Sequence, residues 1–108
     1  MEFINIILVL ITAHVFGDYA FQSAYIAESK SKNIYNLLVH CWIYTTCVCV
    51  ALAVVNKINL IAILSVFITH VILDYSKSRI ERKIGGKAYV LDQMLHYVVL
   101  LIVGILIL

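Results

Sequence analysis

Histidine and aspartate residues recur at a fixed interval inside stretches of sequence that are otherwise apolar. Three pairs have their members four residues apart, and one histidine stands alone: His14–Asp18, His70–Asp74, Asp92–His96 and His40. Residues four apart on an α-helix are neighbours on one face, with Cβ atoms about 5–6 Å apart, so both side chains can reach one point. Imidazole and carboxylate groups are ligands of zinc, manganese and iron. The pattern therefore predicts a site for a divalent transition metal.

The chain that carries these residues is strongly apolar. It has 108 residues, of which 64% are hydrophobic and 13% are charged, and it contains no proline. A soluble domain is about half apolar and about a quarter charged, and one this small leaves much of its surface exposed to water. The composition therefore excludes a soluble enzyme, a disordered chain and a disulfide-stapled secreted domain. It indicates a protein whose solvent is lipid.

Four apolar runs meet or approach the length of about 20 residues that a membrane-spanning helix needs. A backbone in lipid must form a helix or a closed barrel, and continuous apolar runs favour helices over the alternating strands of a barrel. We predict one domain over residues 1–108, an all-α up-down bundle of four transmembrane helices at about 3–27, 37–55, 58–84 and 89–108. The third helix is expected to extend into the cytoplasm and to end at Gly85, and Asn59 is expected to cap its start.

Basic residues are divided very unequally between the predicted loops. Seven lie in the first and third loops, and the second loop contains only Lys57. Because short loops rich in lysine and arginine remain in the cytoplasm, we expect both termini on the outer side of the membrane. The four residues Asp18, His40, His70 and His96 then lie on the cytoplasmic side, each 7 to 10 residues from the nearest charged loop residue. That spacing predicts a polar layer roughly 10–15 Å below the cytoplasmic surface.

Three interpretations of this polar layer remain open. Seven ligands would suffice for two metal ions with a bridging carboxylate, as in carboxylate–histidine sites inside four-helix bundles. Charged groups inside a membrane also form proton or ion pathways, and histidine–aspartate pairs can join helices by hydrogen bonds alone. Metal binding is preferred because all four histidines and all three aspartates converge at one depth. The residue types do not separate zinc from manganese or iron.

Other polar residues near the layer are assigned supporting roles. Lys77 continues the same helix face toward the cytoplasm, and we expect it to bind an anionic substrate, although the positive-inside rule also accounts for a lysine there. Gln22 and Gln93 lie beside the predicted ligands, where they would orient ligands or contact a substrate. An aspartate that is not on the metal, Asp18 or Asp92, would act as a general base.

The motifs resemble those of one known family. They are H-x-x-G-D-Y-x-x-Q from His14 to Gln22, His40 near the start of the second helix, T-H-x-x-x-D-Y-x-K-S from Thr69 to Ser78, and D-Q-x-x-H from Asp92 to His96. In this order and spacing they resemble a bacterial family of small integral membrane proteins known as domain of unknown function 3307. The resemblance covers nearly the whole chain and implies the membrane fold, this choice of site residues and a location in a bacterial cytoplasmic (inner) membrane. The family has no established activity, so the function has to be argued from chemistry.

Hydrolysis is the chemistry expected of such a site, because a bound metal polarises a phosphoryl or acyl oxygen and activates water. The basic mouth at the level of the lipid headgroups suits a phospholipid, an isoprenoid phosphate or another amphiphilic anion. The alternatives are a divalent metal or proton transporter, a channel subunit assembled as a homo-oligomer, and a structural assembly subunit. The apolar run from Val98 to Leu108 offers no polar steps for an ion, which favours a closed pocket. Membrane lipids are the expected partners, and nothing points to nucleic acid.

Overall fold

Helices form nearly all of the part of the chain that the computed structural model describes, residues 2–108. Strands are absent from this range. The elements are α1 (Phe3–Val15), a π-helical turn (Phe16–Ala20), α2 (Ala24–Ser29), α3 (Ile34–Val54), α4 (Leu60–Ile84) and α5 (Lys87–Ile107). Four segments are long and apolar enough to cross a membrane: Phe3–Ala20, Ile34–Val54, Leu60–Ile84 and Lys87–Ile107. The predicted all-α fold with four candidate spans is confirmed.

The ends of the three later spans lie within three residues of the predicted positions. Asn33 caps α3 by accepting hydrogen bonds from two backbone amides, and Asn59 caps α4 by accepting one from Ala62 at 3.1 Å. Gly85 follows α4 with a φ of 66°, a left-handed conformation that favours glycine. The cap expected at Asn59 and the helix end expected at Gly85 are therefore both confirmed.

The first span differs from the continuous helix predicted over 3–27. Its last turn widens, because Phe21 donates its backbone hydrogen bond to Phe16, five residues back, at 2.9 Å. The helix then stops, and Ser23 caps the separate short helix α2 by accepting a hydrogen bond from the Ile26 amide at 3.1 Å. π-Helical turns of this kind accommodate an extra residue and are frequent at functional sites.

The four long helices pack in a ring, since α1 contacts α3 and α5, and α4 contacts α3 and α5. The π-helical turn approaches the backbone of α3 closely at Gly17, where an added Cβ would lie 2.9 Å from the Tyr44 Cα. Only a residue without a side chain fits this contact unless the two segments shift, so Gly17 permits their close packing. The outward faces carry many exposed apolar side chains, including Ile61 and Leu106, as expected for a surface that contacts lipid.

The interior has two distinct zones. At the end that holds the termini, buried apolar side chains fill the bundle: Ile6, Leu10, Val48, Leu52, Val66, Leu100 and Val103. At the opposite end, where α4 joins α5 and where α1 leads through α2 into α3, the buried residues include the histidines and aspartates. The fold therefore places all the predicted ligands in one half of the bundle.

Candidate metal centre

All seven predicted ligands are buried, with exposed fractions between 0% and 7%. Each of the four long segments contributes at least one of them. The residues are His14 and Asp18 from the first span, His40 from α3, His70 and Asp74 from α4, and Asp92 and His96 from α5. The structure thus brings together the set that the sequence pattern selected.

Four of these residues form a first ligand group, made of Asp18, His40, His70 and Asp74. The two Nε2 atoms of His40 and His70 lie 3.1 Å apart. His40 Nε2 lies 3.2 Å from Asp18 Oδ1 and 3.1 Å from Asp74 Oδ2. His70 Nε2 lies 3.6 Å from Asp18 Oδ1 and 3.3 Å from Asp74 Oδ2. These distances are five of the six edges of a tetrahedron of nitrogen and oxygen atoms.

The edges have the length that a small cation requires. Ligands about 2.0–2.2 Å from a tetrahedral zinc ion lie roughly 3.3–3.6 Å from each other. The observed edges of 3.1 to 3.6 Å are close to that range. The four atoms could therefore hold one ion after small shifts of the side chains.

Asp74, Asp92 and His96 form a second ligand group. His96 Nε2 lies 3.3 Å from Asp74 Oδ1 and 3.2 Å from Asp92 Oδ1. Asp74 therefore contributes Oδ2 to the first group and Oδ1 to the second. A carboxylate shared in this way is the usual bridge between two metal ions held about 3.5–4 Å apart.

Unpaired buried atoms are concentrated in the two groups. Asp18 Oδ1, Asp74 Oδ2 and Asp92 Oδ1 are buried side-chain atoms without a hydrogen-bond partner, and His70 Nδ1 is a fourth. A buried polar atom without a partner costs about 1–3 kcal/mol, and more when it is charged. Because the three oxygens are also the atoms that the groups direct at neighbouring imidazoles, one cation in each group would satisfy all of them. The donor set therefore fits a divalent metal.

His14 lies outside both ligand groups, although the sequence pattern included it among the ligands. Its Nε2 lies 3.8 Å from Asp18 Oδ2. Both ring nitrogens have other partners, since Nδ1 is 2.7 Å from the Tyr44 hydroxyl and Nε2 is 2.9 Å from Gln93 Oε1. A carbonyl oxygen only accepts, so Nε2 carries the hydrogen and Nδ1 accepts one from the tyrosine. In this geometry His14 supports its neighbours.

Gln93 connects the two groups. Its Nε2 donates to Asp18 Oδ2 and to Asp92 Oδ2, in both cases at 3.1 Å. The side chain thus fixes one oxygen of each carboxylate and leaves the other, Oδ1, directed at the imidazoles. The expectation that Gln93 contacts a substrate stays a prediction, but its position within the cluster accounts for it as a residue that orients ligands.

Comparison with known proteins gives a family. Residues 6–108 match the family described as protein of unknown function DUF3307. The chain belongs to this family. The matched range includes every residue of the two ligand groups, so the DUF3307 resemblance inferred from the motifs is confirmed. Neither the comparison with curated proteins nor the comparison with solved structures found a match.

Two lysines, Lys30 and Lys77, lie at the edge of the cluster in this member of the DUF3307 family. We call this edge the mouth. Lys77 Nζ is 3.9 Å from Asp92 Oδ2 and 5.4 Å from the centre of the Tyr89 ring. Lys30 Nζ donates to Gln22 Oε1 at 2.8 Å and lies 3.8 Å from Asp74 Oδ2.

Lys30 was not among the site residues predicted from the sequence. Its position in a basic loop was the only signal, and that signal does not distinguish it from Lys32. Gln22 was expected beside the ligands, and the structure places it next to Lys30 at the mouth.

Proposed function

We propose that this protein is a membrane-embedded, metal-dependent hydrolase that acts on an amphiphilic anion. The observation that supports this most directly is the buried group of Asp18, His40, His70 and Asp74, in which five of the six separations between the four ligand atoms are 3.1 to 3.6 Å. A divalent metal bound there would polarise a phosphoryl or acyl oxygen and activate a water molecule. The ligands are all nitrogen and oxygen atoms, which suits zinc, manganese or iron.

In this proposal each ligand has a defined task. Asp18, His40 and His70 would hold one ion, Asp92 and His96 would hold a second, and Asp74 would contribute an oxygen to each. The Oδ2 atom of Asp92 receives a hydrogen bond from Gln93 and faces Lys77 at the mouth. Asp92 and Asp18 would each bind an ion through Oδ1 and would not lie off the metal as the sequence suggested. The general base would then be the other oxygen of one of them, Asp92 Oδ2 beside Lys77 or, as the alternative, Asp18 Oδ2.

The apolar half of the bundle supports a closed pocket over a conduit. Below the cluster, the buried core consists of aliphatic side chains such as Leu10, Val48 and Leu100. The buried Thr45 hydroxyl donates to the Cys41 carbonyl of its own helix at 2.8 Å, so it has no free donor for a passing ion. An ion that crosses a membrane needs polar partners along its path. The aliphatic side chains of this core cannot act as such partners.

We further propose that both termini lie outside a bacterial cytoplasmic membrane and that the mouth faces the cytoplasm. The support is the seven-to-one division of basic residues between the two sides and the positive-inside rule. Reporter fusions at Leu108 test this orientation. A reporter that works only outside the cytoplasm should be active there, and activity of a cytoplasm-only reporter would place the site at the outer leaflet.

The functional test has two steps on protein purified without a chelating tag. Elemental analysis after exposure to zinc, manganese and iron should find about two tightly bound ions per chain; folded protein that holds none would overturn the metal proposal. Proteoliposomes with a metal-sensitive dye inside then separate the enzyme from a transporter. Metal-dependent release of phosphate or headgroup without metal flux supports the hydrolase. Metal flux that His70→Ala abolishes would establish a transporter. The oligomeric state of the protein can be measured on the same sample.

A further inference from the structure

Two lysines from different parts of the chain reach the two ligand groups separately. Lys30 follows α2 and approaches Asp74, while Lys77 lies on α4 and approaches Asp92. The distances of 3.8 and 3.9 Å are too long for hydrogen bonds. An ammonium group has three donors, and Lys30 uses one of them on Gln22. Donors therefore remain at the mouth for a ligand.

The charges around the site indicate how much negative charge that ligand carries. Three buried carboxylates face two ammonium groups. Two divalent cations in the proposed groups would leave an excess of about three positive charges with the histidines neutral. Such an excess is costly in a site removed from water, so it has to be offset by an anion. A carboxylic ester carries no charge and a phosphodiester carries one negative charge. Either group would leave most of the excess positive charge of the site without a counter-charge.

We infer that the substrate group is a terminal phosphoryl group with two or more negative charges, a phosphomonoester or a diphosphate, and that Lys30 and Lys77 bind it. This inference rests on the proposed function. Hydrolysis then breaks the terminal P–O bond, the hydroxide part of water joins the phosphorus, and the remaining proton goes to the leaving oxygen. The products are inorganic phosphate and an alcohol, or a monophosphate when the substrate is a diphosphate.

The mouth carries features of a membrane interface. Tyr25 is 67% exposed and Phe21 is 60% exposed, both in the segment that leads to Lys30. Tyr19 and Tyr89 join the same side of the bundle through a hydrogen bond between their hydroxyl groups. Aromatic residues at this level are typical of the lipid headgroup region. A terminal phosphate borne by a lipid is therefore the source that the mouth suits best, and a soluble phosphate is the alternative.

Binding of inorganic pyrophosphate to metal-loaded protein, measured by calorimetry, tests the lysine pair without relying on turnover. Lys30→Gln and Lys77→Gln should each weaken binding by roughly tenfold or more, because each removes a charge-assisted hydrogen bond, and metal content should stay the same. Lys32→Gln and Lys83→Gln remove the same charge from exposed positions and serve as controls. Equal weakening by the control variants would overturn the inference, since a diffuse basic surface would then account for binding.

Vesicles distinguish the two sources of phosphate and the two classes of ester. Lipids with the same acyl chains and either a phosphomonoester or a phosphodiester headgroup are compared with soluble phosphomonoesters. Release of phosphate from the lipid monoester alone confirms a lipid source, and release from the soluble ester alone confirms the phosphate chemistry with a soluble source. Equal or faster hydrolysis of the phosphodiester overturns the inference but leaves the metal proposal intact. Absence of metal overturns both.

Discussion

The first span and α4 carry the same histidine–aspartate spacing but use it differently. In α4 the helix is regular, and His70 Nε2 lies 3.3 Å from Asp74 Oδ2, with both residues in the first ligand group. In the first span the corresponding distance from His14 to Asp18 is 3.8 Å. His14 is hydrogen-bonded to Tyr44, whereas Asp18 lies 3.2 Å from His40 on α3. Equal spacing in sequence therefore does not give equal roles.

The π-helical turn accounts for the difference. It starts two residues after His14 and contains Asp18. In a π-helical turn the backbone hydrogen bond joins residues five apart, so the side chains that follow are rotated relative to their positions in a regular α-helix. Asp18 consequently contacts the histidines of α3 and α4, and His14 remains behind as a neighbour that holds Gln93.

The largest difference is expected between Asp74→Asn and Asp18→Asn. Asp74 contributes an oxygen to each ligand group, whereas Asp18 contributes to one. Removing the charge of Asp74 should therefore eliminate about two bound ions per chain, whereas removing the charge of Asp18 should eliminate about one. Elemental analysis of the two purified variants measures this. If Asp74→Asn retained one firmly held ion, Asp74 would not be the bridge.

The next comparison replaces the two histidines that share the motif position. His70→Ala removes a ligand of the first group and should eliminate about one ion per chain. His14→Ala removes a supporting hydrogen bond, so both ions should remain with affinity lowered roughly 10–100-fold. Competition with a chelator of known affinity gives the values. Loss of an ion in both variants to the same extent would show that His14 is itself a ligand.

Gly17→Ala tests the helix contact beside the π-helical turn. The new Cβ would meet the Tyr44 backbone at 2.9 Å, so the π-helical turn and α3 have to separate, at a cost of about 1–3 kcal/mol in the free energy of unfolding. Gly86→Ala is the matched control, because, apart from its chain neighbours, no atom of the described residues lies within 4 Å of its Cβ position. Thermal unfolding in detergent compares the two. Equal midpoints would mean that the first span does not depend on this contact.

The smallest effect is expected for Thr46→Val on α3. Thr46 is exposed, and its hydroxyl donates to the Trp42 carbonyl of the same helix at 2.9 Å, so the change should alter stability by less than about 0.5 kcal/mol. Metal content should be unchanged. Metal-dependent flux that the unaltered protein shows and this variant lacks would indicate that ions pass along α3, contrary to a closed pocket.

The sequence predicted the spans well because continuous apolar runs reflect the lipid environment directly. The ligands were predictable for a related reason, since few ionisable residues occur within those runs. The π-helical turn was not predictable, because Phe16 to Ala20 contains no proline and its shape depends on contacts with α3. The placement of Lys30 against Asp74 depends on the path of the loop through α2. The partners of His14 depend on how Tyr44 and Gln93 meet it from two other helices.

The early end of the first span has a consequence for the thickness of the surrounding bilayer. The segment Phe3–Ala20 has 18 residues, which corresponds to a rise of about 27 Å. A hydrocarbon core of about 30 Å therefore exceeds the first span. Lipids beside the first span have to shorten or tilt, which draws their headgroups toward Lys30. Turnover should consequently vary with acyl-chain length, and short-chain bilayers should bring the substrate to the mouth with the least deformation.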